Sequence, residues 1–299
     1  MDDIRNSFLI KSSFDDFEHF THTVRGWGLE FKQLDCGQFY AHLTQLGGPD
    51  LLISKAYFSR KLIQNGNTPK GMRTFVITAS GATPFISRKQ EMTRDRIFIF
   101  PKGADLYAQS LVGFYVITIS IAEQIIENAQ LSESITTQNH LRKGGALRSK
   151  QTLIDGLRYY LEGLLKNEQK NSAFLDSTYY QQEICSSIIT QIFDILRYGA
   201  EKKERLVFLR HTHLIDQITD WVSEKKGEPC SVASLSQQFQ VNERTLRRIF
   251  CDRLGVTPHQ YLTALRLNEV RKNLLEGEHS LIKVVDIANK WGFWHLGDF

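Results

Sequence analysis

The side chains best placed to do chemistry lie in residues 231–253, SVASLSQQFQVNERTLRRIFCDR. Arg244, Arg247, Arg248 and Arg253 crowd about three turns of helix, against only Glu243 and Asp252. A guanidinium carries its donors in a rigid planar fork. It can pair bidentately with guanine O6 and N7 in the DNA major groove, or hold phosphate oxygens. The competing reading is a solvated basic face on a helical pair, since charge runs usually just face water.

Positioning such a row takes a scaffold, and the same stretch reads as helix, tight turn, helix. Val232, Leu235 and Phe239 share one face of the first helix, and Leu246, Ile249 and Phe250 share one face of the second. Both sets follow the 3.6-residue period of a helix packed on one side. Asn242 stands where an N-cap belongs, its side-chain oxygen able to accept an orphan amide one turn on. Glu243, Arg244, Arg247, Arg248 and Cys251 are left facing outward.

The chain has 299 residues, 41% hydrophobic and 23% charged, enough for about two packed domains. Its net charge of +4 and isoelectric point of about 8.8 are mildly basic. Any nucleic-acid contact must therefore come from local clustering of charge. No apolar run is long enough to span a membrane and no signal peptide opens the chain, so neither is expected. Cys36, Cys185, Cys230 and Cys251 are scattered without C-x-x-C spacing. They read as reduced thiols of a cytoplasmic protein rather than as zinc ligands or disulfides.

In chain order, residues 14–26 read as a short helix leading into a sheet. Strand-like alternation follows over residues 29–63, with further strands at 72–78, 84–87, 96–100 and 114–121. Many short strands with Gly and Asn turn signals predict a β-rich barrel or sandwich. Residues 122–130 revert to helix, and Gly144-Gly145 marks a boundary. Residues 150–199 read as helical, with a polar break around 170–172. Ile184, Ile188, Ile192 and Ile195 form an apolar stripe there, and either they pack on the β domain or they make a dimer interface. Residues 211–224 form another helix, with Leu214, Ile218 and Val222 inward. Gly255 stops the arginine-bearing helix, and Thr257-Pro258 starts a long one. Residues 281–289 form one more, and Trp291-Gly292-Phe293 turns the chain. The tail thus contains two similar helical halves. Val232, Leu235 and Phe239 of the first correspond to Val284, Ile287 and Ala288 of the second.

Residues 211–299 resemble the DNA-binding domain of AraC-type bacterial transcription regulators. The motifs that carry the resemblance are SVASLSQQFQVNERTLRRIFCDRLGVTPHQYLTALRLNEVRKNLL and VVDIANKWGF. The segment WGFWHLGDF, with the strand-rich front half, looks more like the ethanolamine-operon regulators within that family. The resemblance implies an α+β chain with a β-rich, cupin-like barrel or sandwich over residues 1–145 that senses a small molecule. A helical linker or dimerisation segment would cover 146–200, and an all-α tandem helix-turn-helix domain 205–299. It implies double-stranded DNA, RNA polymerase and a second copy of the chain as partners, with the protein an activator. Arg244, Arg247 and Arg248 would face the groove, with Glu243 and Thr245 beside them. His295, Leu296 and Gly297 would begin the second reading helix. The rest of that helix is absent, and the second head is expected to be truncated.

No cofactor is expected. The subgroup resemblance makes ethanolamine and a cobalamin the first effectors to consider. Trp27, Phe31, Phe39, Tyr40, Phe58, Phe75, Phe85, Phe98 and Phe100 read first as core and only second as a ligand cage. His19, His22 and His42 lack the spacing of a metal-binding cupin, which leaves a metal-dependent enzyme as the remote reading. No nucleophile elbow, P-loop or dinucleotide Gly motif is present, so no enzyme is expected. The alternative to a ligand sensor is a front half that only dimerises or binds a partner protein.

Overall fold

The computed structural model describes residues 6–82, 85–87, 90–200, 206–225, 230–276 and 283–293. The chain separates into two compact units, Met1–Phe31 with Gln38–Lys203, and Lys32–Gly37 with Glu204–Phe299.

The first unit opens with β1 (Phe8–Phe14), α1 (Phe17–Thr23), β2 (Gly28–Gln33), β3 (Ala41–Gly47), β4 (Leu51–Phe58), β5 (Leu62–Asn67) and β6 (Met72–Thr78). It continues with β7 (Phe85–Ser87), β8 (Gln90–Met92), β9 (Arg96–Ile99), β10 (Asp105–Ser110) and β11 (Phe114–Ala122). After α2 (Glu123–Ala129) and α3 (Ile135–Lys143) come β12 (Gly145–Arg148), α4 (Gln151–Lys166), α5 (Glu168–Asp176) and α6 (Thr178–Arg197). Seven strands form one sheet in the order β1-β3-β4-β11-β6-β9-β12, and five form another in the order β2-β5-β10-β7-β8.

Alternation along the strands of the large sheet serves two cores at once. On β4, Leu52, Ala56 and Phe58 join an aromatic core shared with the small sheet and α1, while Leu51 and Ile53 join a second core with α4, α5 and α6. On β11, Phe114 and Val116 belong to the first core and Ile117, Ile119 and Ile121 to the second. A sheet covered on both faces reads as a nearly continuous apolar run, which is why β6 is MRTFVIT. Each such buried side chain contributes about 1.5–3 kcal/mol by leaving water. A buried ion pair ties the helices to the sheet. Arg73 on β6 donates from Nε to Glu123 Oε2 at 2.9 Å and from Nη1 to the Leu141 carbonyl.

Several expectations are corrected. Residues 8–14 form an edge strand that was not anticipated, with Phe8 and Phe14 turned into the aromatic core. The helix begins only after Asp16, whose carboxylate accepts from the amides of Glu18 and His19. Strands β8, β10 and β12 and helix α3 were not anticipated. Gly144-Gly145 is no boundary. Gly144 ends α3 with φ +66°, and β12 then pairs with β9 in the large sheet. Residues 146–200 therefore belong to the first unit, because their helices cover the sheet's outer face. The helical breaks fall at Asn167 and Ser177, each capping the helix that follows it. They do not fall at 170–172, where Asn171 is buried. The stripe Ile184, Ile188, Ile192 and Ile195 is filled by this same core.

Candidate nucleic-acid interface

The second unit contains α7 (Leu206–Glu224), α8 (Val232–Phe239), α9 (Glu243–Leu254), α10 (Pro258–Glu276) and α11 (Val284–Lys290). Local sequence sets most of the ends. Ser231 and Ser234 exchange hydrogen bonds in a capping box at the start of α8. Gln240 ends α8 in the left-handed region, φ 51° and ψ 40°, and is the one non-glycine residue with positive φ among those described. Two residues on, Asn242 Oδ1 accepts from the Thr245 amide at 2.8 Å and starts α9. Gly255, φ +65°, stops α9, and its amide reaches the Cys251 carbonyl. Thr257 and Gln260 then cap α10 reciprocally. Asn242→Ala should lower the stability of this unit by about 1 kcal/mol. Urea unfolding would show it, and an unchanged midpoint would mean that the cap does not hold the turn.

The underside of α9 is fully packed. Leu246, Ile249, Phe250 and Leu254 are each at most 2% exposed. Phe250 meets Tyr261 edge to face at 5.2 Å, and the Tyr261 hydroxyl lies 2.9 Å from Thr219 Oγ1 on α7. Trp221 packs on Phe239, fixing α7 to α8. On α7 Ile215 and Ile218 are buried, whereas Leu214 and Val222 are only half-buried.

The opposite face of α9 carries the arginines. Arg244, Arg247, Arg248 and Cys251 follow one another by three, one and three positions, a single stripe on the helix. All four are exposed, as is Glu243, and Thr245 is half-buried at the edge. The structure thus brings together the groove-facing residues expected from the first head. His295, Leu296 and Gly297 lie outside the described residues. What is described of the second half is its packing. Ile287, Ala288 and Phe293 are buried against Val270, while Val284, expected inward, is 49% exposed. The Arg266 guanidinium lies over the Phe293 ring at 4.8 Å.

His211, on α7, senses the same charges. Burial first, then the nearby Arg253 and Arg248, hold its pKa below the ordinary 6.5, with Asp252 opposing. Its neutral form is therefore favoured by folding. The stability this contributes is complete above about pH 6.5 and is lost as pH falls through the lower folded value. The second unit should melt at a lower temperature at about pH 5 than at about pH 7.5, and His211→Gln should shrink that difference. An identical pH profile for the variant would exclude His211 as the source.

In the first unit, the aromatic core leaves a cavity of about 60 Å³. Trp27, Phe31, Phe58, Phe85 and Phe100 line it, and Phe39 and Phe98 pack in the same core. Phe75 lies in the other core, and Tyr40 is exposed. His22 Nδ1 bonds the Glu18 carbonyl oxygen at 2.7 Å, and His42 Nδ1 bonds Ser13 Oγ at 2.8 Å. Among the described residues, no three His, Cys, Asp or Glu side chains converge as a metal would require. No described helix is long and apolar enough to cross a membrane. Sequence reasoning missed the polar residues of the cavity wall, notably Ser54 and Gln64. Their only signal is a polar residue at an inward-facing strand position, which is visible once register is known.

A capped helix, a tight turn and a second helix with a packed underside and a cationic outer stripe define a helix-turn-helix domain. Residues 235–299 match the family model described as "Helix-turn-helix domain". The chain is 34% identical over 80 residues to the probable thc operon regulatory protein of Rhodococcus erythropolis, covering 27% of this chain and 24% of that one. It is 33% identical over 104 residues to the HTH-type transcriptional activator RhaS of Salmonella arizonae, covering 31% and 36%. With RhaS of Yersinia pestis it shares 36% identity over 83 residues, covering 28% and 29%. The chain thus spans about a quarter to a third of these relatives' lengths. Among solved structures, ToxT from Vibrio cholerae O395 aligns over 92% of this chain and 91% of its own, at 13% identity and a TM-score of 0.26. That score is too low to define a common fold.

Proposed function

We propose that the chain is a sequence-specific DNA-binding transcription regulator of the AraC type, an activator whose first unit senses a small molecule. The observation that carries this is the exposed stripe of Arg244, Arg247 and Arg248, directly opposite the buried face of α9 in a helix-turn-helix domain. The regional similarity to proteins named as transcriptional activators supports it.

In this reading α9 enters the major groove. Its arginines hold phosphates, which set affinity and salt dependence, or read guanine edges, which set specificity. The pairing of α11 with α10 belongs to a second head, to whose DNA contacts His295, Leu296 and Gly297 are assigned. Two heads joined by one helix would enter successive major grooves, which recur about every 34 Å along the duplex. The first unit is a cupin-like sensor that also makes a homodimer, and the bound activator would engage RNA polymerase. Ethanolamine with a cobalamin is the first effector pair to screen. The protein is a regulator and not an enzyme.

The deciding experiment is a gel-shift titration with footprinting on DNA upstream of the neighbouring genes, repeated at rising salt. A protected site that survives excess competitor DNA, with affinity falling steeply in salt, is the expected result. Equal affinity for that DNA and for random duplex would overturn sequence-specific control.

A further inference from the structure

The wall of the cavity in the aromatic core carries an unmet hydrogen-bond donor. Gln64, on β5, is 7% exposed, and its Nε2 has no hydrogen-bond partner. Gln64 pairs in register with Ala108 on β10, and both residues line the cavity, so the amide is on the inward face. From the large sheet, Ser54 and Thr118 stand opposite each other on β4 and β11 and also line it. The Ser54 hydroxyl accepts from Gln45 Nε2 at 3.0 Å and keeps its own proton to give. The rest of the wall is mainly aromatic and aliphatic, and no charged side chain lines it among the described residues.

From this we infer that the cavity binds a small uncharged molecule, a chain of about three carbons bearing one carbonyl-type acceptor, and that Gln64 is the residue that selects the acceptor. The inference rests on the sensor reading above and names the ligand class of this cavity, from which it excludes ethanolamine, an ammonium. A buried donor without a partner is costly, and an acceptor delivered there by a ligand removes that penalty. An ammonium would find the opposite. It would be stripped of water among aromatic rings with no carboxylate to receive it. The volume, roughly two waters' share of the liquid, suits a molecule of about four heavy atoms and excludes a sugar or a nucleotide.

Three molecules of one skeleton test this. Acetone carries the acceptor, isobutene replaces its oxygen by CH₂, and isopropylammonium replaces it by a cation. Each is titrated into the full 299-residue chain, with Trp27 fluorescence as the readout and Trp27→Phe as the control for location. Acetone should bind roughly three- to tenfold more tightly than isobutene, and the cation should not bind measurably. In Gln64→Leu the preference should fall to about one with hydrocarbon binding retained, since replacing an unpaired buried amide by an apolar group need not destabilise the fold. Equal binding of the first two by the natural chain would overturn the proposal, as would tighter binding of the cation, no binding of any, or a preference that survives Gln64→Leu. The comparison in the natural chain decides the matter even if the variant fails to fold. Binding without any change in DNA affinity would keep the cavity assignment and remove the sensor reading. DNA affinity that responds to ethanolamine while the cavity stays empty would do the reverse.

Discussion

A chain carrying Arg244→Ala, Arg247→Ala and Arg248→Ala together should lose at least a hundredfold in affinity for its DNA site while melting as the natural chain does. Each groove contact of this kind contributes about 1–3 kcal/mol, so even the lower figure, taken three times, gives about 3 kcal/mol. The three side chains are exposed on α9, away from Leu246, Ile249 and Phe250, so their loss leaves no cavity. Exposed substitutions of this sort stay within about 0.5 kcal/mol of the parent in stability. Salt dependence separates the two roles open to an arginine. Each phosphate contact removed lowers the slope of log affinity against log salt by about 0.9, whereas each lost base contact relaxes sequence preference instead. Natural affinity in the triple variant would remove α9 from the interface and, with it, the proposed mode of DNA reading.

Phe250→Ala should do the converse, unfolding the second unit and losing DNA binding only as a consequence. Phe250 is fully buried and stacks edge to face on Tyr261, whose hydroxyl meets Thr219. One ring thus joins α9 to α10, which is in turn bonded to α7. Removing it leaves a cavity where three helices converge, at about 3–5 kcal/mol. That is a large fraction of the stability of a small domain. Denaturant unfolding followed by Trp221 fluorescence should show the midpoint falling, with DNA affinity declining as the folded fraction declines. A loss below about 1 kcal/mol would mean that the site collapses to fill the gap and that Phe250 does not anchor the helix.

The arginine-bearing helix and its outward stripe were legible in the sequence because their signals are local. The spacing of Leu246, Ile249 and Phe250 fixes the buried face. Asn242 and Gly255 fix the ends of α9 through hydrogen bonds that span one turn. The outward face of the arginines then follows from helical geometry alone. Strands of the large sheet were legible for a related reason. Runs such as MRTFVIT and FYVITISIA are apolar enough to be strands whichever faces are covered. What failed was whatever depended on a distant partner. FLIKSSF is a strand because Phe8 to Phe14 pair with Gly47 to Ala41, a neighbour far along the chain. GALR is a strand only because residues 96–99 offer a free edge.

By itself, then, the sequence determined the helix-turn-helix of residues 231–254, the caps of its arginine-bearing helix and the β-rich character of the front. Periodicity and capping act over one or two turns of chain. Tertiary structure alone decided that residues 146–200 complete the first unit, since the stripe on α6 could equally have met a second copy until the sheet's outer face was seen to fill it. It alone decided that Gln64 faces a cavity with its donor unmet. Which way a strand residue points is set by register with strands far away in sequence, and a one-residue slip would have turned that amide to the opposite face.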